Sequence, residues 1–349
     1  MTGRAEFAST TAAGIAAEAA GIAATGTSIE QRAEALLTPL QRIMPFQATY
    51  LALLDPEQHE HHQLVVDGYD EATQRYLHGP ALLQELELVG LTRPGPPMRV
   101  RDLPIPPGEI PIWAQHLWPA GLREALGIRL YTPSGTCQGL LVLHTDTPAY
   151  ATDAARDLAG RLAPLIAHAV DPMRQVSTLA GIVRKAVAGV VLTRFGHVLP
   201  LGRLPGHRLL RTRSAVALTA ARHLDDGADR ARFLCPDTGH HLLRVTALRC
   251  PPQPPHHLWA IVLLSPPEDL HGLTPFDLTI LGLLLDGWPD WRIAAWLHLA
   301  EGTITGRIPH ITAMLGATDR APAISRAARL GLYIPRMLIK HGHEPVPGC

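Results

Sequence analysis

Residues 273–332 read LTPFDLTILGLLLDGWPDWRIAAWLHLAEGTITGRIPHITAMLGATDRAPAISRAARLGL. Thr274 is a good N-cap, and Pro275 suits the first helical position because its missing N–H has no partner there anyway. Leu278, Ile280, Leu281, Leu284 and Leu285 then recur on an inward face until Gly287. A second helix over 290–297 turns Ile293, Ala294 and Leu297 inward. Residues 298–300 are too few for anything but a turn. A third helix over 301–315 ends at Gly316, and a fourth over 321–330 ends before Gly331. Four short helices with such tight connections predict a helix-turn-helix.

Leu273, Thr274, Leu281, Gly287, Ile293, Ala294, Leu297, Gly302, Thr303, Ile304, Ile311, Leu315, Gly316, Arg320 and Ala323 carry a resemblance in order and spacing to the LuxR-type helix-turn-helix. The resemblance implies a transcription regulator whose third helix enters the major groove of double-stranded DNA. Its fourth helix would support contacts in a homodimer. The expected DNA-facing residues are Thr303, Thr305, Arg307 and His310 on the third helix, with Trp291 and Arg292 opening the second. Arginine can grip guanine or phosphate with two donors, and hydroxyls and indoles suit backbone contacts. Arg320 is expected to form an ion pair with Asp319 or Asp290.

Departures from the family pattern are equally visible. Phe276 and Asp277 stand where the family has Arg-Glu. Ala300 replaces the serine before the recognition helix, a lost cap worth about 0.5–2 kcal/mol. Thr305, followed by Gly306, and Met314 stand where the family commonly has lysine. Pro309 removes the N–H that would bond the Thr305 carbonyl, at a cost of roughly 3 kcal/mol in an ordinary helix. These changes also fit a second reading, a helix-turn-helix repurposed for protein interaction or dimerisation without reading a DNA sequence.

Upstream, residues 28–170 carry a helix capped by Ser28, strands over 48–54 and 63–66, a helical stretch over 70–90, strands over 122–131 and 139–145, and a last helix capped by Thr152. This order predicts an antiparallel sheet with helices. The late hairpin GIRLYTPSGTCQGLLVLHTD and the helix after it resemble a GAF-type sensor domain. That resemblance implies a small-molecule effector or a partner protein as input. Trp113, His116, Trp118, Tyr131 and Cys137 are the candidate ligand-lining residues. In residues 171–268, strands near 190–198 and a hairpin over 241–264 around a proline-rich loop read as PAS-like, or as an extension of the sensor. The fold class expected is therefore α+β multidomain: GAF-like sheet, PAS-like middle, and an all-α four-helix end at 269–335. Residues 1–27, rich in Ala and Gly, read as a mobile tail, and 336–349 as another.

The 349 residues are 46% apolar and 18% charged, enough to bury a core. Residues 1–170 hold 11 basic and 18 acidic groups, and residues 171–250 hold 13 and 5. A basic middle beside an acidic first half suggests an internal contact or an anionic partner. Cys137, Cys235, Cys250 and Cys349 lie far apart, which suits free thiols rather than a zinc site or disulfide framework. His59, His61 and His62 read as polar loop residues, not metal ligands. No Gly-rich phosphate loop, GxSxG or HExxH is present. The expectation is a non-enzymatic cytoplasmic protein with no cofactor or metal and no membrane partner.

Overall fold

A computed structural model describes residues 2–237 and 241–339. The chain forms two compact units, the first over residues 1–172 with the loop 252–257, the second over the rest. Each unit is built on one five-stranded antiparallel sheet. No described helix is long and apolar enough to cross a membrane.

The first unit comprises α1 (Thr2–Ala24), α2 (Ile29–Gln41), β1 (Ala48–Asp55), β2 (Glu60–Asp67), α3 (Glu71–Leu77), α4 (Pro80–Leu88), β3 (Met98–Arg99), β4 (Glu124–Tyr131), β5 (Cys137–Thr145) and α5 (Asp153–Ala169), with the sheet in the order β2-β1-β5-β4-β3. Strand alternation sends Leu51, Leu53, Leu126, Ile128, Leu141 and Leu143 to one face, against α1, α2 and α5. Ala48, Tyr50, Ala52, Ala125 and Leu140 go to the other, under α3, α4 and Trp113. Ser28 caps α2 in a reciprocal box with Gln31, and Thr152 caps α5.

The mobile tail expected over residues 1–27 is corrected here. α1 is a helix, and Ile15, Ala19 and Ala23 are buried in the same core as Leu36 and Leu162. Their spacing of four residues makes a stripe, and small side chains let two helix backbones approach closely. Arg42 of α2 pairs with Glu18 of α1.

The second unit holds α6 (Pro172–Ala180), β6 (Ala188–Thr193), β7 (Val198–Pro200), α7 (Ala215–Asp225), β8 (Arg230–Pro236), β9 (Leu242–Arg249), β10 (Leu258–Ser265), then α8 (Pro275–Leu285), α9 (Asp290–Trp296), α10 (Glu301–Met314) and α11 (Arg320–Leu330). Its sheet order is β7-β6-β10-β9-β8. Counted from each sheet's own first strand, both orders are 2-1-5-4-3. Residues 171–268 therefore form a sheet of their own rather than an extension of the first.

The boundary expected at residue 269 is also corrected. The four helices share one continuous core with the second sheet, in which Phe233, Val245 and Val262 join Leu278, Leu281 and Ile334. Residues 331–338 strap the two parts together. The Leu234 amide donates to the Tyr333 carbonyl at 2.9 Å, and the Ile334 amide to the Leu278 carbonyl at 3.0 Å. Gly331 ends α11 at φ 70°, where a β-carbon would stand 2.9 Å from the Arg232 carbonyl carbon. Within the tail expected over 336–349, Arg336–Leu338 is a 3₁₀ turn with Leu338 buried, and residues 340–349 lie outside the described ones.

A β-carbon on Gly282 would stand 1.9 Å from the Ile334 carbonyl oxygen. Gly282→Ala is thus expected to destabilise the second unit by about 1–3 kcal/mol, the usual cost of overpacking a tight core. Denaturant titration of the full chain checks this as a fall in midpoint.

Candidate functional site

α8 begins with Thr274, whose hydroxyl accepts the Asp277 amide at 3.3 Å. The Asp277 carboxylate returns the bond, accepting the Thr274 amide at 2.9 Å and its hydroxyl at 2.7 Å. Asp277 is fully buried. A buried carboxylate needs a cation, and Arg307 of α10 supplies one: Nε donates to Oδ1 at 2.5 Å and Nη2 to Oδ2 at 2.9 Å. Burial alone would raise the Asp277 carboxyl, but donation from Arg307 and Thr274 overrides it and holds it below the ordinary carboxylate range.

Arg307, one of the expected DNA contacts, turns its guanidinium to α8 and braces α10 against it. Asp277 explains why, since a buried anion on α8 captures the nearest cation. A second carboxylate works similarly. Asp290 Oδ1 accepts from Arg320 Nη1 at 2.6 Å and Oδ2 from the Thr305 hydroxyl at 3.3 Å, joining α9, α10 and α11. Of the two partners expected for Arg320, it takes Asp290.

Arg292 lies over the Trp288 ring at 4.2 Å, and Arg336 approaches the same ring at 5.3 Å. Trp291 is 61% exposed. Thr303, Thr305 and Pro309 are exposed, and His310 is half-buried. α10 runs through Pro309 without interruption, with Ile304 and Ile311 buried on its inner side. Its outer stripe is Gly302, Thr303, Gly306, Pro309 and Ala313. Of the expected DNA-facing set, Thr303 lies in this outer stripe, Thr305 is exposed but turned toward Asp290, and Trp291 and Arg292 sit on α9.

The expected ligand residues are not brought together. Trp113 lines a buried, almost wholly apolar cavity of about 80 Å³ between the first sheet and α4, along with Tyr50, Leu82, Leu86, Ile112 and His144. His116 instead stacks on Tyr76 at 4.6 Å. Trp118 is 37% exposed and packs beside Gly108. Tyr131 and Cys137 face each other at the far tip of the β4–β5 hairpin, where Cys137 Sγ accepts from Arg129 Nη2 at 2.8 Å. His61 Nε2 meets Arg129 Nη1 at 3.2 Å, and no group of three metal-ligating side chains gathers among the described residues.

Sequence reading misses the polar groups that line the cavity, His144 and Glu85, and the tyrosine behind the first of them. The Tyr69 hydroxyl is hydrogen-bonded to His144 Nδ1 at 2.7 Å. Complete burial pushes His144 down to about 3 and Tyr69 well up, so both are neutral at ordinary pH. Glu85, raised chiefly by burial, accepts from the Tyr76 hydroxyl and the Ile112 amide. Strand alternation marks Tyr50 and His144 as facing the helices, but only the folded chain adds Tyr69.

No family model matches the chain, and no curated protein does. Several solved structures align with parts of it. The GAF domain of a phosphoenolpyruvate-protein phosphotransferase from Coxiella burnetii is 15% identical over 50% of this chain and 98% of that one, with a TM-score of 0.35. The corresponding Acinetobacter GAF domain is 14% identical over 50% and 94%, at 0.31. The Vibrio cholerae VqmA dimer, a LuxR-type receptor, is 15% identical over 47% and 92%, at 0.26. These are partial likenesses at low identity and assign no activity to this chain.

Ala300 caps α10 in extended geometry with no side-chain acceptor. Ala300→Ser is expected to stabilise the second unit by about 0.5–2 kcal/mol, read as a raised melting temperature. For the first unit, a histidine held near 3 when folded and near its ordinary 6.5 when unfolded makes the unfolded chain bind the extra proton. Stability is then full above pH 6.5 and falls below it, by about 1.4 kcal/mol per pH unit for this one group. Denaturant unfolding at pH 7 and pH 5 should show that loss, and the His144 ring nitrogens should keep a neutral nuclear-magnetic-resonance signature at both.

Proposed function

We propose that this protein is a DNA-binding transcription regulator in which the first unit takes the input and the helix-turn-helix of the second gives the output. The observation that carries this reading is the outer stripe of α10. Gly302, Thr303, Gly306 and Ala313 leave that helix slim and hydroxyl-bearing on its exposed side, while Ile304 and Ile311 anchor the other. A slim helix held by a rigid three-helix base suits insertion in the major groove. The sequence resemblance to LuxR-type modules points the same way. The cavity beneath α4 suits a small apolar effector, bound more tightly by one arrangement of the chain than by another. The sequence resemblance of residues 28–170 to GAF-type domains supports a sensor role, and the homodimer is part of this reading.

A specific observation favours the second reading, a protein-interaction module. The cations of α9 and α10 are already engaged, Arg292 on Trp288 and Arg307 on Asp277, and Trp291 stands exposed nearby. Selection of bound fragments from the source genome by the full-length protein separates the two. The control is Gly306→Glu, because a β-carbon at 306 meets no atom within 4 Å and the substitution improves helix propensity. An enriched sequence whose affinity falls at least tenfold in the variant, with the melting temperature kept or raised, supports DNA recognition by α10. Absence of any enrichment by folded protein at low salt overturns it in favour of protein interaction.

A further inference from the structure

No carboxylate stands between Asp171 and Asp225, yet nine arginines and lysines do. The sheet register gathers most of them at one end of the second sheet. Ala188, the first residue of β6, pairs with Leu264 near the last of β10, and Ser265 pairs with Arg244 near the start of β9. Pro236, the last of β8, pairs with Leu242, the first of β9. One end of the sheet therefore collects the start of β6, the end of β8 and the exit of β10 toward α8.

Arg184 and Lys185 immediately precede β6. Arg203 lies in the loop that returns to that end, since the Gly189 amide donates to the Pro205 carbonyl at 3.2 Å. Arg208 pairs with Asp237, just past β8. Arg211 and Arg213 follow in the turn closed by the Ser214 amide on the Arg211 carbonyl at 2.9 Å. α7 starts there and runs to the opposite end, where Arg249 bonds the Leu224 carbonyl. Arg184, Lys185, Arg203, Arg211 and Arg213 are all exposed, and none forms an ion pair among the described residues. Three carboxylates also stand near that end: Asp237 pairs with Arg208, Glu268 with Arg244 at 3.4 Å, and Asp269, exposed, accepts the His271 amide at 2.7 Å, against five unpaired cations.

We infer that this end of the second sheet is a phosphate-backbone contact for double-stranded DNA, supplying the electrostatic affinity that the engaged cations of α9 and α10 do not. The inference rests on the DNA-binding reading above. The surface and the helix-turn-helix share one core, so phosphates held at one count toward binding at the other. Exposed, unpaired arginines release condensed counterions on meeting phosphate, which neutral α10 cannot do. An acid-free run of this length also lacks the negative charge that would repel a phosphate strand.

The test uses the full-length protein and a random-sequence 30-base-pair duplex, with affinity followed across salt concentrations. Replacing Arg203, Arg211 and Arg213 together by Gln is expected to lower the slope of log affinity against log salt by about 3, near one for each phosphate no longer neutralised. The pair Arg184→Gln and Lys185→Gln should lower it by about 2, and serves if the triple variant fails to fold. Arg194→Gln, at the opposite end of β6, should leave the slope unchanged. A slope unaltered in both multiple variants, while the genome selection still yields an enriched sequence, overturns the surface and leaves the DNA reading standing. A wild-type protein with no duplex affinity at low salt overturns both. A loss of about 1 in Arg194→Gln as well, the same per charge as in the two multiple variants, would mean a diffuse charge effect and overturn the localised surface.

Discussion

Ile334 gives its amide to the Leu278 carbonyl and rests its own carbonyl where a side chain on residue 282 would have to be. That close approach, possible only at glycine, fixes the strap 331–338 between α8 and β8. Everything in the second unit follows from it. A helix-turn-helix on a free linker would search for DNA by itself. Here it shares backbone hydrogen bonds and an apolar core with a sheet, so tilting α10 relative to β8 would break the Leu234–Tyr333 bond and open the cluster around Phe233. Packed cores switch between discrete arrangements rather than deforming smoothly. The four helices and the second sheet are therefore one packed body.

The electrostatics repeat this internal commitment. Asp277 closes the cap of α8 and anchors α10, while Asp290 anchors α10 and α11 together. Each carboxylate engages a cation or hydroxyl that a DNA-binding helix would otherwise turn outward. The gain is a rigid base despite the uncapped start of α10 and the proline inside it. The consequence is a third helix with little free charge of its own, so that under the proposed DNA reading shape and hydroxyls would discriminate and attraction to phosphate would come from elsewhere.

Much of the fold is legible in the sequence because its punctuation is local. Thr274, Gly287, Gly316 and Gly331 mark helix ends through backbone chemistry that needs no partner, and the central strands of the first sheet show as short apolar runs, buried on both faces. The misses have equally physical causes. Alanine buries little area, so α1 reads as a tail; its four-residue stripe matters only once α5 lies beside it. β8, with Arg230 and Arg232 at alternate positions, looks like part of a charged loop until β9 pairs with it. α7 carries Val216, Ala217, Ala220 and Leu224 at helical spacing behind the Ser214 cap, a signal present but submerged in a basic stretch. Arg307 reads as a free cation because its partner Asp277 lies 30 residues away. The departure from the family pattern at Asp277 looks like a loss until the other half of the pair is seen. The buried pair behind the cavity joins Tyr69 to His144, which lines it, and no local pattern announces that contact.

The two sheets share a strand order but use their faces differently. In the first, the face bearing Tyr50, Ala52 and Leu140 stays under helices α3 and α4 and encloses a small cavity. In the second, the corresponding covering helix is α7, and the same core continues past it into α8, α10 and the strap. The opposite face of that sheet holds Val191, Ile261 and Leu263 against Val176 and Ala180 of α6. One topology thus serves twice. Where the covering helices end the core, space remains for a small molecule. Where the core runs on, the sheet becomes the foundation of the four helices, and the two are held as one packed body.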